Sequence, residues 1–225
     1  MIVAIDGPAG AGKSTIARRV ARRLDFQLID TGAIYRTVAW RAVEAEMNLE
    51  DAPAIAELAA SLHFDFKRDE QGENRLICDG RVMGNEIRTP EISLASSQIS
   101  SHPELRQALL QIQRDLGERA SSVLEGRDIG TVVFPRADVK IFLTASNEIR
   151  AQRRVDQMRE RGEAAELEQV LAEIVERDRR DSERAAAPLK RADDAVDIDT
   201  STLDIDQVVA KILEVVTNGG FADQR

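Results

Sequence analysis

Residues Gly7 to Ser14 read Gly-Pro-Ala-Gly-Ala-Gly-Lys-Ser and satisfy the pattern G-x-x-x-x-G-K-[ST] in full. No other stretch constrains the fold as strongly, because such a loop works only between a buried strand and the start of a helix. Both neighbours are present. Ile2-Val3-Ala4-Ile5 is a short buried-strand pattern ending in Asp6, and Ile16, Ala17, Val20, Ala21 and Leu24 recur at helical spacing from Ser14 onward. Glycines let the backbone wind tightly around phosphate oxygens, and the exposed N–H groups form an anion nest at the helix N-terminus. Lys13 is expected to reach the β- and γ-phosphates of a nucleoside triphosphate, and the Ser14 hydroxyl to ligate Mg²⁺. The expected nucleotide-binding stretch is Gly7, Pro8, Ala9, Gly10, Ala11, Gly12, Lys13, Ser14 and Thr15.

The rest of the chain extends the same rhythm. Phe26 to Ile29 is a second apolar run, followed by a helix through Tyr35, Val38 and Ala42. This β-α-β-α order predicts a parallel sheet with helices on both faces, the three-layer α/β architecture of P-loop proteins. The alternation breaks from about Ala45 to Ile92, where Leu62–Lys67, Arg75–Cys78 and Arg81–Met83 look like short strands joined by turns. That segment is expected to be an inserted subdomain with a small antiparallel sheet. A helix over Pro103–Leu116, strands at Val123–Glu125, Val139–Leu143 and Val196–Ile198, and a helix over Ile205–Val216 complete the pattern. The division is residues 1–44, core with the P-loop; 45–92, insertion; and 93–225, core continued. A charged helical hairpin spans Asn147 to Glu183, turning near Arg161-Gly162-Glu163, and Asn218 onward reads as a frayed tail.

Composition excludes several classes. The 225 residues suit one substantial α/β core, and no apolar run approaches the roughly 20 residues that cross a bilayer. The chain starts on a strand with no basic region or cleavage signal, which argues against export and for the cytoplasm. One cysteine, Cys78, and two histidines, His63 and His102, argue against a disulfide or a protein-ligated zinc. A net charge of −9 argues against a nucleic-acid binder. Of the 31 basic residues 26 are arginines; a codon preference accounts for the general excess, and local placement is a separate matter.

Ligands of open α/β sheets gather beyond the carboxyl ends of the strands. That rule selects the P-loop, Asp30–Arg36 and Gly126-Arg127-Asp128. Asp30 to Arg36 offers an acid, the Thr31 hydroxyl, the Tyr35 ring and the Arg36 guanidinium, although a salt bridge explains Arg36 equally well. Arg127 and Asp128 suit either a site or a surface turn. Arg177, Asp181 and Arg184 share one helical face at i, i+4 and i+7, a spacing that also describes an intrahelical ion-pair ladder. Arg150, Arg153 and Arg154 open the charged hairpin and are candidates for closing over ATP phosphates, with Arg159 and Arg161 behind them; a solvated helix pair is the competing account.

No lysine follows an asparagine, so the Asn-Lys-x-Asp of GTPases is absent, and so is the Leu-Ser-Gly-Gly-Gln of ABC-type ATPases. A small-molecule kinase fits best, with a kinase for another nucleoside monophosphate or a metabolite such as shikimate, or a nucleotide-switched regulatory module, as alternatives. The segments GPAGAGKST (7–15), DTGAIYR (30–36), EIRT (86–89), EGRDIGTVVFP (125–135), ERDRRDSERAAAPL (176–189) and ADDAVDIDTS (192–201) together resemble the bacterial cytidylate kinase family over nearly the whole chain. The resemblance implies a nucleoside monophosphate kinase fold with a CMP-binding insertion and a mobile lid around 147–163. It implies phosphorylation of CMP and dCMP by ATP, no nucleic-acid or membrane partner, and a monomer. Carried over, Ser97, Arg106 and Asp128 read cytosine, Arg177 and Asp181 hold the sugar, and Arg36, Arg127 and Arg184 hold the CMP phosphate. Thr31 stands where some members have serine, and Glu125 where some have aspartate.

Overall fold

The protein is described here from a computed structural model, which describes residues 1–70, 72–160 and 162–220. Five parallel strands form the central sheet: β1 (Ile2–Asp6), β2 (Gln27–Asp30), β6 (Ser122–Gly126), β7 (Val139–Thr144) and β8 (Val196–Asp199), in the order β2-β6-β1-β7-β8. The register sets Asp6 beside Gly126 on one flank and Phe142 on the other, so the P-loop leaves the sheet at its centre. The central strands are buried on both faces, which is why they read as unbroken apolar runs rather than alternating ones.

Helices α1 (Lys13–Leu24) and α8 (Ile205–Gly220) cover one face, packing Ile16, Val20 and Ile212 against Ile5 and Ile141. The other face carries α2 (Thr31–Glu44), α3 (Ala52–Ser61), α4 (Pro90–Ile99) and α5 (Pro103–Glu118) in one apolar cluster with Ala4, Ile29 and Leu124. The expected three-layer parallel architecture is present.

The insertion holds an antiparallel sheet of β3 (Phe64–Arg68), β4 (Asn74–Cys78) and β5 (Arg81–Val82). Its helix α3 was not expected. Its sequence, Ala-Pro-Ala-Ile-Ala-Glu-Leu-Ala-Ala-Ser, is mostly alanine with Glu57 its single charge, and so shows little contrasting stripe, although Asp51 caps its Ala54 N–H at 3.1 Å and Pro53 sits in its first turn. Helix α4 also runs across the expected boundary at residue 92. Ile55, Phe64 and Leu76 share the apolar cluster of the core, so the insertion is continuous with the main body.

The charged hairpin consists of α6 (Asn147–Glu160) and α7 (Leu167–Glu183), joined by their own cluster of Ala151, Val155, Val170 and Ile174. That cluster makes the hairpin one unit as far as Glu183, beyond the expected lid boundary at 163. At the other end α8 continues through Gly220 instead of fraying at Asn218; residues 221–225 and Arg161 lie outside the described residues.

Candidate active site

The donor loop is shaped by backbone conformation first. Gly7 has φ 148°, and a Cβ there would lie 2.1 Å from the Leu143 carbonyl oxygen, so this glycine is required by the neighbouring strand β7. Gly12, at φ 90°, caps α1, whose first turn carries no acid to compensate the positive end of its dipole. Lys13 is buried and its Nζ donates to the Pro8 carbonyl at 2.7 Å across the loop. Burial, then the charge of Arg127, hold its ammonium well below the ordinary lysine range, so an incoming polyphosphate meets a poorly solvated cation. Ala9 to Thr15 line a cleft of about 1260 Å³; Gly7 and Pro8 stand behind its wall.

The Ser14 hydroxyl donates to Glu125 Oε2 at 2.8 Å. Burial, then the nearby Asp30 charge, push the Glu125 carboxyl up to about 7. A hydroxyl beside a carboxylate short of compensating positive charge is a hard-oxygen donor set that fits Mg²⁺. Among the described residues no three His, Cys, Asp or Glu side chains cluster to hold a metal alone, so phosphate oxygens would have to supply further ligands.

The other half of the same cleft is built from residues far apart in sequence. Arg106 Nη2 on α5 donates to Asp128 Oδ2 at 2.5 Å, both side chains being 9% exposed, and its Nη1 donates to the Ser100 carbonyl at 3.2 Å. The Arg106 guanidinium lies 5.4 Å over the Tyr35 ring. Arg184 stands 3.7 Å from Asp128 Oδ1 and 3.6 Å from Asp181 Oδ1, and Arg127 Nε donates to Asp181 Oδ2 at 3.0 Å. Burial opposes a charge on Asp181, but Arg127, Arg177 and Arg184 outweigh it and hold its carboxyl below the ordinary range. Among the described residues Ser97 Oγ, Arg106 Nε, Arg177 Nε and Arg184 Nη2 are buried without a hydrogen-bond partner. Unpartnered buried polar atoms are costly, and their convergence on one cleft marks a place built for a polar ligand.

Several expectations change in detail. Arg36 does form the competing salt bridge, with Asp30 at 2.9 Å, yet both remain in the cleft wall. Thr31 gives its hydroxyl hydrogen to the Glu125 carbonyl at 2.7 Å, tying α2 to β6. Tyr35 is buried beneath Arg106 and engages Gln113. Arg184 caps the end of α7 and still pairs with Asp181 at i,i+3, and a further intrahelical ladder joins Arg179 to Glu176 and Glu183. Arg150 does not line the cleft: it is buried and bonded to the Ala145 and Ala9 carbonyls, Asn147 and Asp178, so it joins the donor loop to both hairpin helices. Arg153 and Arg154 do line it, Arg153 donating to Thr200 Oγ1 at 2.9 Å and to the Thr200 carbonyl at 2.6 Å. Arg159 is absent from the lining.

Arg88 and Thr200 are among the lining residues that had no role assigned from the sequence. Arg88 stands 3.9 Å from Asp30 beside Arg36, and Thr200 bridges Arg153 to the donor loop by a hydrogen bond to the Ala11 carbonyl at 3.3 Å. Arg88 ends a single 3-10 turn, too short for a periodic signal, although it lies inside the EIRT motif.

A phosphate loop at the centre of a parallel sheet, opening into a cleft whose far wall pairs arginines with buried carboxylates, defines a P-loop phosphotransferase with a polar small-molecule acceptor. Known proteins agree. The sequence profile of the cytidylate kinase family matches residues 3–218. The cytidylate kinase of Syntrophotalea carbinolica is 47% identical over 216 residues, 96% of this chain and 92% of that protein. That of Citrifermentans bemidjiense is 49% identical over 210 residues, 93% of this chain and 89% of its own. A crystal structure of an uncharacterized protein from Eubacterium ventriosum, 12% identical, matches with a TM-score of 0.50 over 100% of this chain and 99% of the other, a likeness of fold alone. The chain belongs to the cytidylate kinase family.

Proposed function

We propose that this chain transfers the γ-phosphate of ATP to CMP and dCMP, giving CDP or dCDP and ADP. The observation that carries this reading beyond family membership is that the donor loop and the buried Ser97–Arg106–Asp128 group open into one cleft. Cytosine presents an N4 amine donor beside the acceptors N3 and O2. A carboxylate accepts from the amine and an arginine donates to N3 or O2, whereas uracil turns its O4 acceptor toward the carboxylate. Mismatched buried polar contacts of this kind discriminate by orders of magnitude.

The acceptor phosphate has its second pKa near 6 and is mostly a dianion at neutral pH, so it is already a nucleophile and needs no general base. What must be supplied is compensation of charge as two polyanions approach in line. Lys13 is the residue for the β- and γ-phosphates, with Arg127, Arg184 and Arg36 on the CMP phosphate and Arg177 with Asp181 on the sugar. Ser14 would hold Mg²⁺, which would supply further neutralisation of the charge on the transferred group. Residues 45–92 serve as the CMP-binding subdomain. The hairpin that begins at Asn147 serves as the lid, excluding water that would otherwise take the γ-phosphate, with Arg153 and Arg154 brought toward ATP.

In this reading the chain acts as a cytoplasmic monomer without nucleic-acid or membrane partners. Its charge of −9 supports the absence of nucleic acid, and among the described residues no helix is long and apolar enough to cross a membrane. Incubation with ATP, Mg²⁺ and each nucleoside monophosphate tests the function. CDP and dCDP formation supports it; turnover of another acceptor alone, or ATP hydrolysis indifferent to all of them, overturns it.

A further inference from the structure

Asp6 carries no role in the chemistry above, yet it is the last residue of β1 and immediately precedes the phosphate loop. Its side chain is buried and both carboxylate oxygens are engaged across the sheet: Oδ1 accepts the Ile129 N–H at 2.8 Å and Oδ2 accepts the Gly130 N–H at 2.7 Å. Those two amides follow Asp128 directly and open the π-helical turn Ile129–Val133. As the first donors of a helical turn they have no partner within it, and both residues are buried from water. On the other side, the Asp128 carbonyl accepts from Val132 at 2.9 Å and Val133 at 3.2 Å. The backbone around Asp128 is therefore fixed from two directions, and the Asp6 carboxylate ties it to the strand that carries the donor loop.

We infer that Asp6 is a positioning residue for base recognition: its carboxylate clamps the backbone just after Asp128 and so sets where the Asp128 side chain meets the acceptor's base. The inference rests on the reading of Asp128 as the base-recognising carboxylate. The requirement for a carboxylate is geometric. Two adjacent amides need two acceptor oxygens in one plane, and an asparagine offers one oxygen and turns an N–H₂ toward the other amide. Asp128 keeps its partner Arg106 in such a variant, but its place relative to the cleft is no longer specified. The same connection makes β1 a rigid link between the donor loop and the acceptor wall, since Asp6 is adjacent in sequence to Gly7 and in register with Gly126.

The test compares Asp6→Asn and Asp128→Asn with the unmodified protein, measuring kcat/KM for CMP and UMP and, without acceptor, the affinity for a non-hydrolysable ATP analogue. For Asp6→Asn the preference for CMP over UMP is expected to fall about tenfold, with KM for CMP rising and analogue affinity changing less than about twofold. Loss of analogue affinity in proportion to CMP use overturns the inference, because it places the Asp6 charge at the donor phosphates. A lowered melting temperature with unchanged base preference also overturns it, because it leaves Asp6 a structural residue only. Asp128→Asn separates the two levels: if it leaves the base preference intact, the reading of Asp128 fails; if it alters the preference and Asp6→Asn does not, only the clamp fails. Amide hydrogen exchange on the unmodified protein provides a check independent of any variant's folding. Slow exchange at Ile129 and Gly130 is expected, and fast exchange at both contradicts the clamp.

Discussion

At the scale of single residues, the cleft is a set of buried charges held in pairs with some valences left open. Asp128 is satisfied by Arg106 and faced by Arg184, while Ser97 Oγ and Arg106 Nε lack partners among the described residues. Replacing Asp128 by alanine strips two buried guanidinium groups of a partner, and kcat/KM for CMP is expected to fall by about a hundredfold or more while ATP-analogue affinity stays within about twofold; steady-state kinetics and equilibrium binding check this. Asp6 gives a pH signature. Burial, against opposing hydrogen bonds from Gly130 and Ile129, pushes its carboxyl up to about 6, with Asp128 and Lys13 the charged groups facing it. The folded chain therefore holds a proton that the unfolded chain has released, and the contribution of Asp6 to stability falls as pH rises from about 4 to about 6, then levels. Asp6→Asn lacks that slope, so its stability relative to the unmodified protein should gain about 2–3 kcal/mol across this window, measured by denaturant unfolding at each pH. Little of this was legible from spacing. The donor residues are contiguous, so one motif shows them together. Arg106 and Asp128 are brought together by α5 packing on the sheet; the strand-end rule picked out Asp128 as either a site or a turn, and only the family resemblance pointed to Arg106.

Among elements, the hairpin of α6 and α7 does the most to join the two halves of the site. Its own apolar cluster makes it a unit, and Arg150 ties that unit to the Ala9 carbonyl in the donor loop and to Asp178 on α7. Arg150→Met keeps the volume but abandons four polar partners, one of them the partly buried Asp178 carboxylate. A loss of about 3 kcal/mol in stability and weaker ATP binding are expected, read by denaturant unfolding and nucleotide titration. Arg153 has a different position, its guanidinium over the cap of α1 and resting on Thr200. If the arginine acts on the donor side as proposed, Arg153→Ala should lower turnover by about tenfold to a hundredfold with CMP affinity intact; an unchanged rate would return it to a surface role. The β-α-β elements were legible because buried parallel strands and amphipathic helices have contrasting patterns. Helix α3 was not, being alanine-rich with little polar contrast, and the π-helical turn after Asp128 was not, because bonding from residue i to i+5 leaves no periodic trace in so short a segment.

For the whole molecule, the sheet order places the donor loop on the central strand, with the residues proposed for the acceptor just beyond the neighbouring β6 and on α2, α4, α5 and α7, so the proposal puts both substrates in one continuous cleft. Each ligand at about a hundred times its Kd should add about 2.7 kcal/mol to folding stability, and ATP analogue with CMP should raise the melting temperature more than either alone. A melting temperature that the second ligand leaves unchanged would mean that the two do not occupy the cleft together. The architecture was legible from the sequence because a single motif fixes the strand–loop–helix unit from which this order grows. The continuity of insertion and core was not, since it depends on Ile55, Phe64 and Leu76 meeting residues such as Ile29 that lie remote in the chain. The central claim is that the buried arginine–carboxylate wall recognises cytidylate, and a crystal structure with bound CMP tests it most directly. The account expects the cytosine N4 amine within hydrogen-bond distance of the Asp128 carboxylate, the base edge against Ser97 and Arg106, and the phosphate among Arg36, Arg127 and Arg184. A cytosine bound away from Asp128, or a phosphate held elsewhere in the cleft, would contradict it.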